Sequence, residues 1–308
     1  MCCLFGFVDY GHILSRNQRL KLLTALSTAS EERGTDATGI AYNFGGKQVI
    51  YKRPLPAHLM WYRVPRSPSF VMGHTRMTTQ GSEKNNQNNH PFPGKAGNVR
   101  FSLAHNGVLV NDKLLRQKNK LPATKVETDS YVAVQLLEQY GQIGFDALRF
   151  LAEELEGSFT ISVLTEQDEL YFVKGNNPLC IYHFPQSGLY VYASTEQILN
   201  AGLKNSHLKL GSFEPIRVFT GEILRIDFKG KVTRSEFRDD KLYESYNIPW
   251  YDRFWFQEPR PPYKFQDDPY IRDLKAVAPC YGFSGDEIDM LLEEGFSPDE
   301  IEEYMYCG

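Results

Sequence analysis

The chain has 308 residues, 42% hydrophobic, 23% charged and 13% aromatic, which excludes a disordered or fibrous protein and allows one large domain or two unequal ones. Its net charge of −4 gives no reason to expect nucleic acid as a partner, and its five cysteines lack both an even count and zinc-ligand spacing, so no disulfide framework, structural metal or cofactor is expected. No run reaches the apolar length of a membrane span, and the stretch 4–8 is too short for a signal-peptide core, so the expected compartment is the cytoplasm.

Short β-rich runs bounded by turn residues predict strands at 4–8, 39–42, 48–51, 70–72, 99–103, 158–163, 170–173, 189–192 and 222–226. Leu20, Leu23, Leu26 and Ala29 share one face of a first helix. Val132, Leu136 and Tyr140 do the same in a second, which opens near Thr128 and stops at Gly141. A third helix covers 145–155 and closes before Gly157. The strands cluster as hairpins with helices between the clusters, which predicts antiparallel sheets covered by helices, an α+β protein. Residues 81–97, dense in Asn, Gly and Pro, predict a lid or binding loop.

Three domains are expected: residues 2–235, an aromatic and Pro-rich connector at 236–268, and a helical tail at 269–308. The connector carries Trp250, Trp255 and Phe256 and is too apolar for a free linker. In the tail, Gly282-Phe283-Ser284-Gly285-Asp286-Glu287-Ile288 recurs as Gly295-Phe296-Ser297-Pro298-Asp299-Glu300-Ile301. Each copy reads as a helix start, with Ser at the cap, Glu three residues on and Phe as a staple. Nine of the 38 acidic residues and no Lys or Arg lie in 281–308, which leaves the preceding 280 residues with a net +5. An acidic module of this kind is either a docking element or a solvated face.

Cys2 stands directly behind the initiator Met1. Once Met1 is removed, Cys2 carries a thiol and a free α-amine with reference pKa values of about 8.5 and 8. One residue then supplies nucleophile and base. Five local patterns follow it: Arg33-Gly34-Thr35-Asp36-Ala37-Thr38-Gly39, Gly73-His74-Thr75-Arg76-Met77-Thr78-Thr79, Asn89-His90-Pro91-Phe92, Ala104-His105-Asn106-Gly107-Val108-Leu109 and Glu127-Thr128-Asp129-Ser130. Read singly, Asn106-Gly107 is a type I′ turn, and Asp129 is a charge favoured at a helix N-terminus.

In this order and spacing the set resembles the glutaminase domain of the class II, N-terminal-cysteine glutamine amidotransferases. The resemblance spans residues 2–235 and implies the four-layer αββα sandwich of N-terminal nucleophile hydrolases. It implies a reaction in which Cys2 attacks the side-chain amide of L-glutamine and a thioester is hydrolysed to glutamate. It assigns the oxyanion hole to the Asn106 side-chain amide and the Gly107 N–H. Arg76 holds the substrate α-carboxylate as a bidentate fork, with Thr79 as a further contact, and Asp129 pairs with the α-ammonium. Arg33, Asp36 and Gly39 are expected to form a scaffold with a buried Asp–Arg network. His74, His90 and His105 are expected to pack and orient loops. Cys3 replaces the usual Gly and points to the opposite strand face, and Met77 replaces the usual aromatic.

About 70 residues follow position 235, short for an acceptor-binding catalytic domain, and they contain no P-loop. The first reading is therefore a glutaminase that hands ammonia to a separate synthase. A second is a stand-alone amidohydrolase of another γ-glutamyl amide. A third is a non-catalytic regulatory or binding protein with this fold. Oligomeric state is not legible.

Overall fold

The structure is a computed structural model that describes residues 2–65 and 68–244 and, further on, 271, 274–276, 278–281, 283–293, 301 and 305. Strand β1 (Cys3–Asp9) is buried along its whole length. Cys3, Phe5 and Phe7 join one apolar cluster and Leu4 and Val8 another, as the period of two requires. A strand buried on both faces must lie between two layers.

Those layers are two antiparallel sheets with helices outside them. The first sheet joins β1 with β2 (Ala37–Phe44), β3 (Lys47–Arg53), β4 (Phe70–Arg76), β9 (Cys180–Phe184), β10 (Leu189–Ala193) and β11 (Glu214–Ile216), in the order β11-β9-β10-β1-β4-β2-β3. The second joins β5 (Phe92–Ala96), β6 (Val99–Leu109), β7 (Gly157–Thr165), β8 (Leu170–Lys174), β12 (Glu222–Ile226) and β13 (Val232–Glu236), in the order β13-β12-β8-β7-β6-β5. Helices α1 (Arg16–Ala29) and α5 (Glu196–Ser206) cover the first sheet through Leu22, Leu23, Leu26, Ile198 and Leu199. Helices α3 (Tyr131–Tyr140) and α4 (Phe145–Glu154) cover the second through Leu136, Leu137, Leu148 and Leu151. Leu4, Phe70, Met72, Leu164, Phe172, Tyr192 and Leu224 fill the space between the sheets. This is the expected αββα sandwich.

Local chemistry sets the element ends. Helix α1 opens at a capping box, with Ser15 and Gln18 satisfying each other's backbone N–H groups. Helix α3 stops where predicted, because Gly141 takes the left-handed conformation (φ 84°) that ends a helix. The segment 81–97 is only partly loop. A 3₁₀ turn covers Asn86–Asn88, and β5 closes the sheet edge despite Pro93, since an edge strand can do without one N–H. The strands and helices predicted within residues 2–235 all form. Strands β5, β9, β11 and β13 and helices α2 (Asp112–Lys118), α5 and α6 (Asp240–Glu244) are additional.

The chain divides into two compact units, Met1–Pro249 and Trp250–Gly308. In the second, α7 (Gly285–Glu293) begins at the expected capping box. The Glu287 N–H donates to Ser284 Oγ at 3.2 Å, and the Ser284 N–H donates to the Glu287 carboxylate at 2.7 Å. These bonds hold the carboxyl below its ordinary range. Ile271, Leu274, Ala278, Ile288, Leu292, Ile301 and Met305 form a small core there. Most of the connector, including Trp250, Trp255 and Phe256, and residues 295–300 of the second copy lie outside the described residues.

Candidate active site

Register places the nucleophile. Strands β1 and β4 pair with Cys3 opposite Thr75, so Cys2 and Arg76 emerge side by side at the same end of two central strands. Cys2, Arg76, Thr79, Gly107 and Asp129 line a single narrow cleft, joined by Met77, Gln80, His90, His105, Thr128 and Ser130. Larger hollows, between α1 and α5 and beside Trp61, contain none of the expected site residues. Polar convergence, not size, singles out the cleft at Cys2.

Cys2 is half-buried, and its Sγ lies 3.5 Å from both the carbonyl oxygen and the backbone nitrogen of Met77. Burial is the main influence and pushes the thiol up to about 11; the Met77 backbone, the terminal amine and Arg76 work in the other direction. At neutral pH the group is therefore a thiol, with on the order of one part in ten thousand ionised. The site does not pre-ionise its nucleophile, so attack requires a base in reach. The Cys2 carbonyl is held by Arg33 Nε at 2.9 Å, which fixes the first residue against the turn that precedes β2. In the same turn Asp36 receives the Thr78 N–H at 2.6 Å, anchoring the segment after Arg76. Cys3 is fully buried under α1, as the strand alternation predicted.

Arg76 is buried and mostly engaged by the protein itself. Its Nη1 donates to Asn89 Oδ1 at 2.7 Å, and its Nη2 donates to the carbonyls of Gln80 and Gly81 at 2.6 and 2.8 Å. With both Nη2 hydrogens taken, neither edge of the guanidinium keeps two free donors. Nε and one Nη1 hydrogen remain for a ligand. The segment around residues 80–91 is strapped from several sides. Lys52 Nζ donates to the carbonyls of Asn89 and Pro91, Asn89 Nδ2 donates to the Glu83 carbonyl at 2.8 Å, and Asn88 Nδ2 donates to Glu127 at 2.7 Å. Asparagine side chains here take the place of ladder bonds. Thr79 is exposed on the cleft, and the Met77 side chain is 51% exposed.

Asn106 and Gly107 are not a turn. They lie inside β6, opposite Thr160 and Phe159. Phe159 turns its N–H to Asn176 and its carbonyl to Asn177, away from β6. By the alternation of an antiparallel ladder, Gly107 likewise turns its N–H away from β7. On that side β5 pairs only as far as Leu103, so the edge at Gly107 is uncovered. Two residues on and on the same side, the Leu109 N–H donates to Asp129 Oδ2 at 2.6 Å. This brings the carboxylate to the edge where Gly107 directs its donor. Only glycine fits at position 107. Its φ is 145°, and a Cβ there would lie 1.9 Å from the Ser158 carbonyl oxygen.

Asp129 is buried, accepts a second bond from Ser130 Oγ at 3.2 Å, and has no cationic partner among the described residues. An unpaired buried carboxylate in a cleft wall suits a cationic ligand group. Asn106 is fully buried behind the cleft lining, with Nδ2 3.3 Å from Ser194 Oγ and Oδ1 without a partner. The three histidines cluster at the site, His90 and His105 lining the cleft: His74 lies 4.2 Å from His90, ring centre to ring centre, and its Nε2 meets the His105 carbonyl oxygen at 2.9 Å. Burial holds all three below their ordinary range, His74 at about 3, so they are uncharged and weak bases at neutral pH. Among the described residues no cluster of His, Cys, Asp or Glu is arranged to hold a metal, and no helix is long and apolar enough to cross a membrane.

Sequence reasoning assigned no role to Asn89, Ser130 or Ser194. The first two lie inside quoted motifs and were within reach. Ser194 is 88 positions from Asn106 and carries no local signal.

The chain matches no protein-family model. It is 32% identical over 189 residues to the glutamine–fructose-6-phosphate aminotransferase (isomerizing) of Geobacillus kaustophilus, covering 59% of this chain and 30% of that protein. The Staphylococcus epidermidis enzyme of the same name is 31% identical over 190 residues, with the same coverage. The chain thus spans about a third of the length of the curated relatives it matches. Among solved structures, the glutamine phosphoribosylpyrophosphate amidotransferase of B. subtilis superposes with a TM-score of 0.60 at 22% identity, over 77% of this chain and 49% of that one. That likeness concerns the fold. In sequence, then, the matched part of the chain is similar to glutamine-using aminotransferases, in fold it is similar to an amidotransferase, and Cys2 lies in its cleft.

Proposed function

We propose that the chain hydrolyses the side-chain amide of L-glutamine through a Cys2 thioester, giving glutamate and ammonia. The observation that carries this reading is the convergence of Cys2, Arg76, Gly107 and Asp129 on one cleft. Removal of Met1 frees the Cys2 α-amine, whose ordinary pKa of about 8 lets it take the thiol proton as the sulfur attacks. The tetrahedral oxyanion is received by the Gly107 N–H and the Asn106 amide. Collapse passes the proton from the amine to the departing nitrogen, which leaves as ammonia. Water then attacks the thioester, the amine takes its proton and returns it to the departing Cys2 sulfur, and glutamate is released. Asp129 receives the substrate α-ammonium; Thr79 and the uncommitted Nε and Nη1 hydrogens of Arg76 receive the α-carboxylate.

The ammonia passes to an acceptor-binding synthase, in keeping with relatives whose names pair glutamine with a sugar phosphate. The domains 2–235, 236–268 and 269–308 and a cytoplasmic location belong to the same reading. The test is treatment of the processed chain with a chloroketone analogue of glutamine, alongside a glutamate-release assay. Stoichiometric adduct on an N-terminal Cys2, with turnover abolished, is expected. A labelled residue other than Cys2, or an unlabelled protein inert towards glutamine, would sink the proposal.

A further inference from the structure

We propose that Ser194 is a positioning residue that fixes the orientation of the Asn106 amide, so that Nδ2 is kept for the oxyanion; this rests on the glutaminase reading above. Ser194 directly follows β10 and is fully buried. Its Oγ accepts the Leu4 N–H at 2.9 Å, which uses one lone pair and leaves the hydroxyl hydrogen to be placed. With Nδ2 facing Ser194 the hydroxyl accepts twice, and Asn106 Oδ1 is orphaned in the interior. The other group beside that hydroxyl is Cys3, whose thiol burial keeps protonated and which is a weak acceptor.

Turning the amide by 180° exchanges the orphan acceptor for a donor without an internal partner. Ser194 Oγ–H then donates to Oδ1, the orphan acceptor is satisfied, and Nδ2 is released from Ser194. The two ends of an amide are nearly the same size, so packing is unchanged. Nothing donates to the position that Oδ1 leaves, so nothing is lost there. The donor an oxyanion needs is thus the one the protein has left without an internal partner. The anchor of this relay, the Leu4 N–H, lies two residues from Cys2 on the same strand. Nucleophile and oxyanion donor are therefore set from one piece of backbone.

Neutron diffraction on the deuterium-exchanged full chain tests the hydrogen positions directly. A deuteron on Ser194 Oγ directed at Asn106 Oδ1 is expected; Nδ2 deuterons directed at Ser194 overturn the assignment, whether or not any variant folds. Kinetically, Ser194→Ala should lower kcat on the order of 10- to 100-fold with KM within about twofold, because a misplaced donor harms the transition state more than the bound substrate. Ser194→Thr, which keeps the hydroxyl, should recover most of the loss. Unchanged kcat in a folded Ser194→Ala protein, or a rise in KM alone, rejects the role. Wild-type protein that is neither labelled at Cys2 nor active on glutamine would instead reject the glutaminase reading, with the deuteron positions still read independently.

Discussion

The two walls of the cleft are built on different terms. The wall from the first sheet is satisfied from within: the Cys2 sulfur meets the Met77 backbone, and Arg76 is bonded to Asn89 and two loop carbonyls. The wall from the second sheet is left incomplete. Asp129 has no cationic partner among the described residues, Gly107 directs its N–H to an uncovered edge, and the Asn106 amide carries an orphan atom. A finished wall holds geometry and an unfinished one receives a ligand, because buried polar groups without partners are tolerated where something else completes them. The Cys2 sulfur on the first wall is thus held as a thiol at neutral pH, and the polar groups left open to a ligand lie mainly on the second.

This contrast can be broken in four places. The largest effect concerns the restrained thiol. In protein that retains Met1, the rate of Cys2 alkylation by iodoacetamide should rise about tenfold per pH unit from 7 towards 11, since a raised pKa leaves only thiol at neutral pH. A plateau near pH 8 would show that the wall activates the sulfur unaided. Next, Gly107→Ala should lower kcat by about a thousandfold, because the clash of its Cβ with the Ser158 carbonyl displaces the backbone N–H that serves as oxyanion donor. Activity within tenfold of wild type would remove Gly107 from the site. Third, Asp129→Asn should raise KM for glutamine about 100-fold with little change in kcat, as expected for ground-state pairing with an ammonium group; steady-state kinetics that show the reverse split would contradict it. Smallest, Asn89→Ala should loosen the Arg76 tie and raise KM about tenfold, the scale of one unsatisfied buried donor. If isothermal titration finds ligand binding unchanged, the strap serves stability alone.

Much of the fold was legible because periodicity reports which face is buried. Strand β12 matches its predicted run, and α3 ends at Gly141 for the reason read from its sequence. Strand β5 was hidden because Pro93 and Gly94 argue for a loop until a neighbour makes the segment an edge strand. Helix α5 was missed although its cap is present: Thr195 Oγ1 accepts the Ile198 N–H at 3.3 Å. Within the site, Cys2, Arg76, Thr79, Gly107 and Asp129 were found from ordered motifs, and the structure brings them to one cleft. Three details were not available. Asn106-Gly107 reads locally as a turn, Arg76 reads locally as an open fork, and Ser194 has no motif.

By itself the sequence determined which groups can do chemistry. A thiol behind Met1, a guanidinium, a glycine that admits close approach and a carboxylate are properties of residues and survive any folding. Tertiary structure decided what each group is free to do. Only the β6–β7 ladder aims the Gly107 N–H at an uncovered edge, only burial raises the thiol and neutralises the histidines, and only the loop carbonyls take up Nη2 of Arg76. The reason is physical: availability of a proton, a lone pair or a charge depends on partners within about 3 Å, and those partners come from segments far apart in the chain.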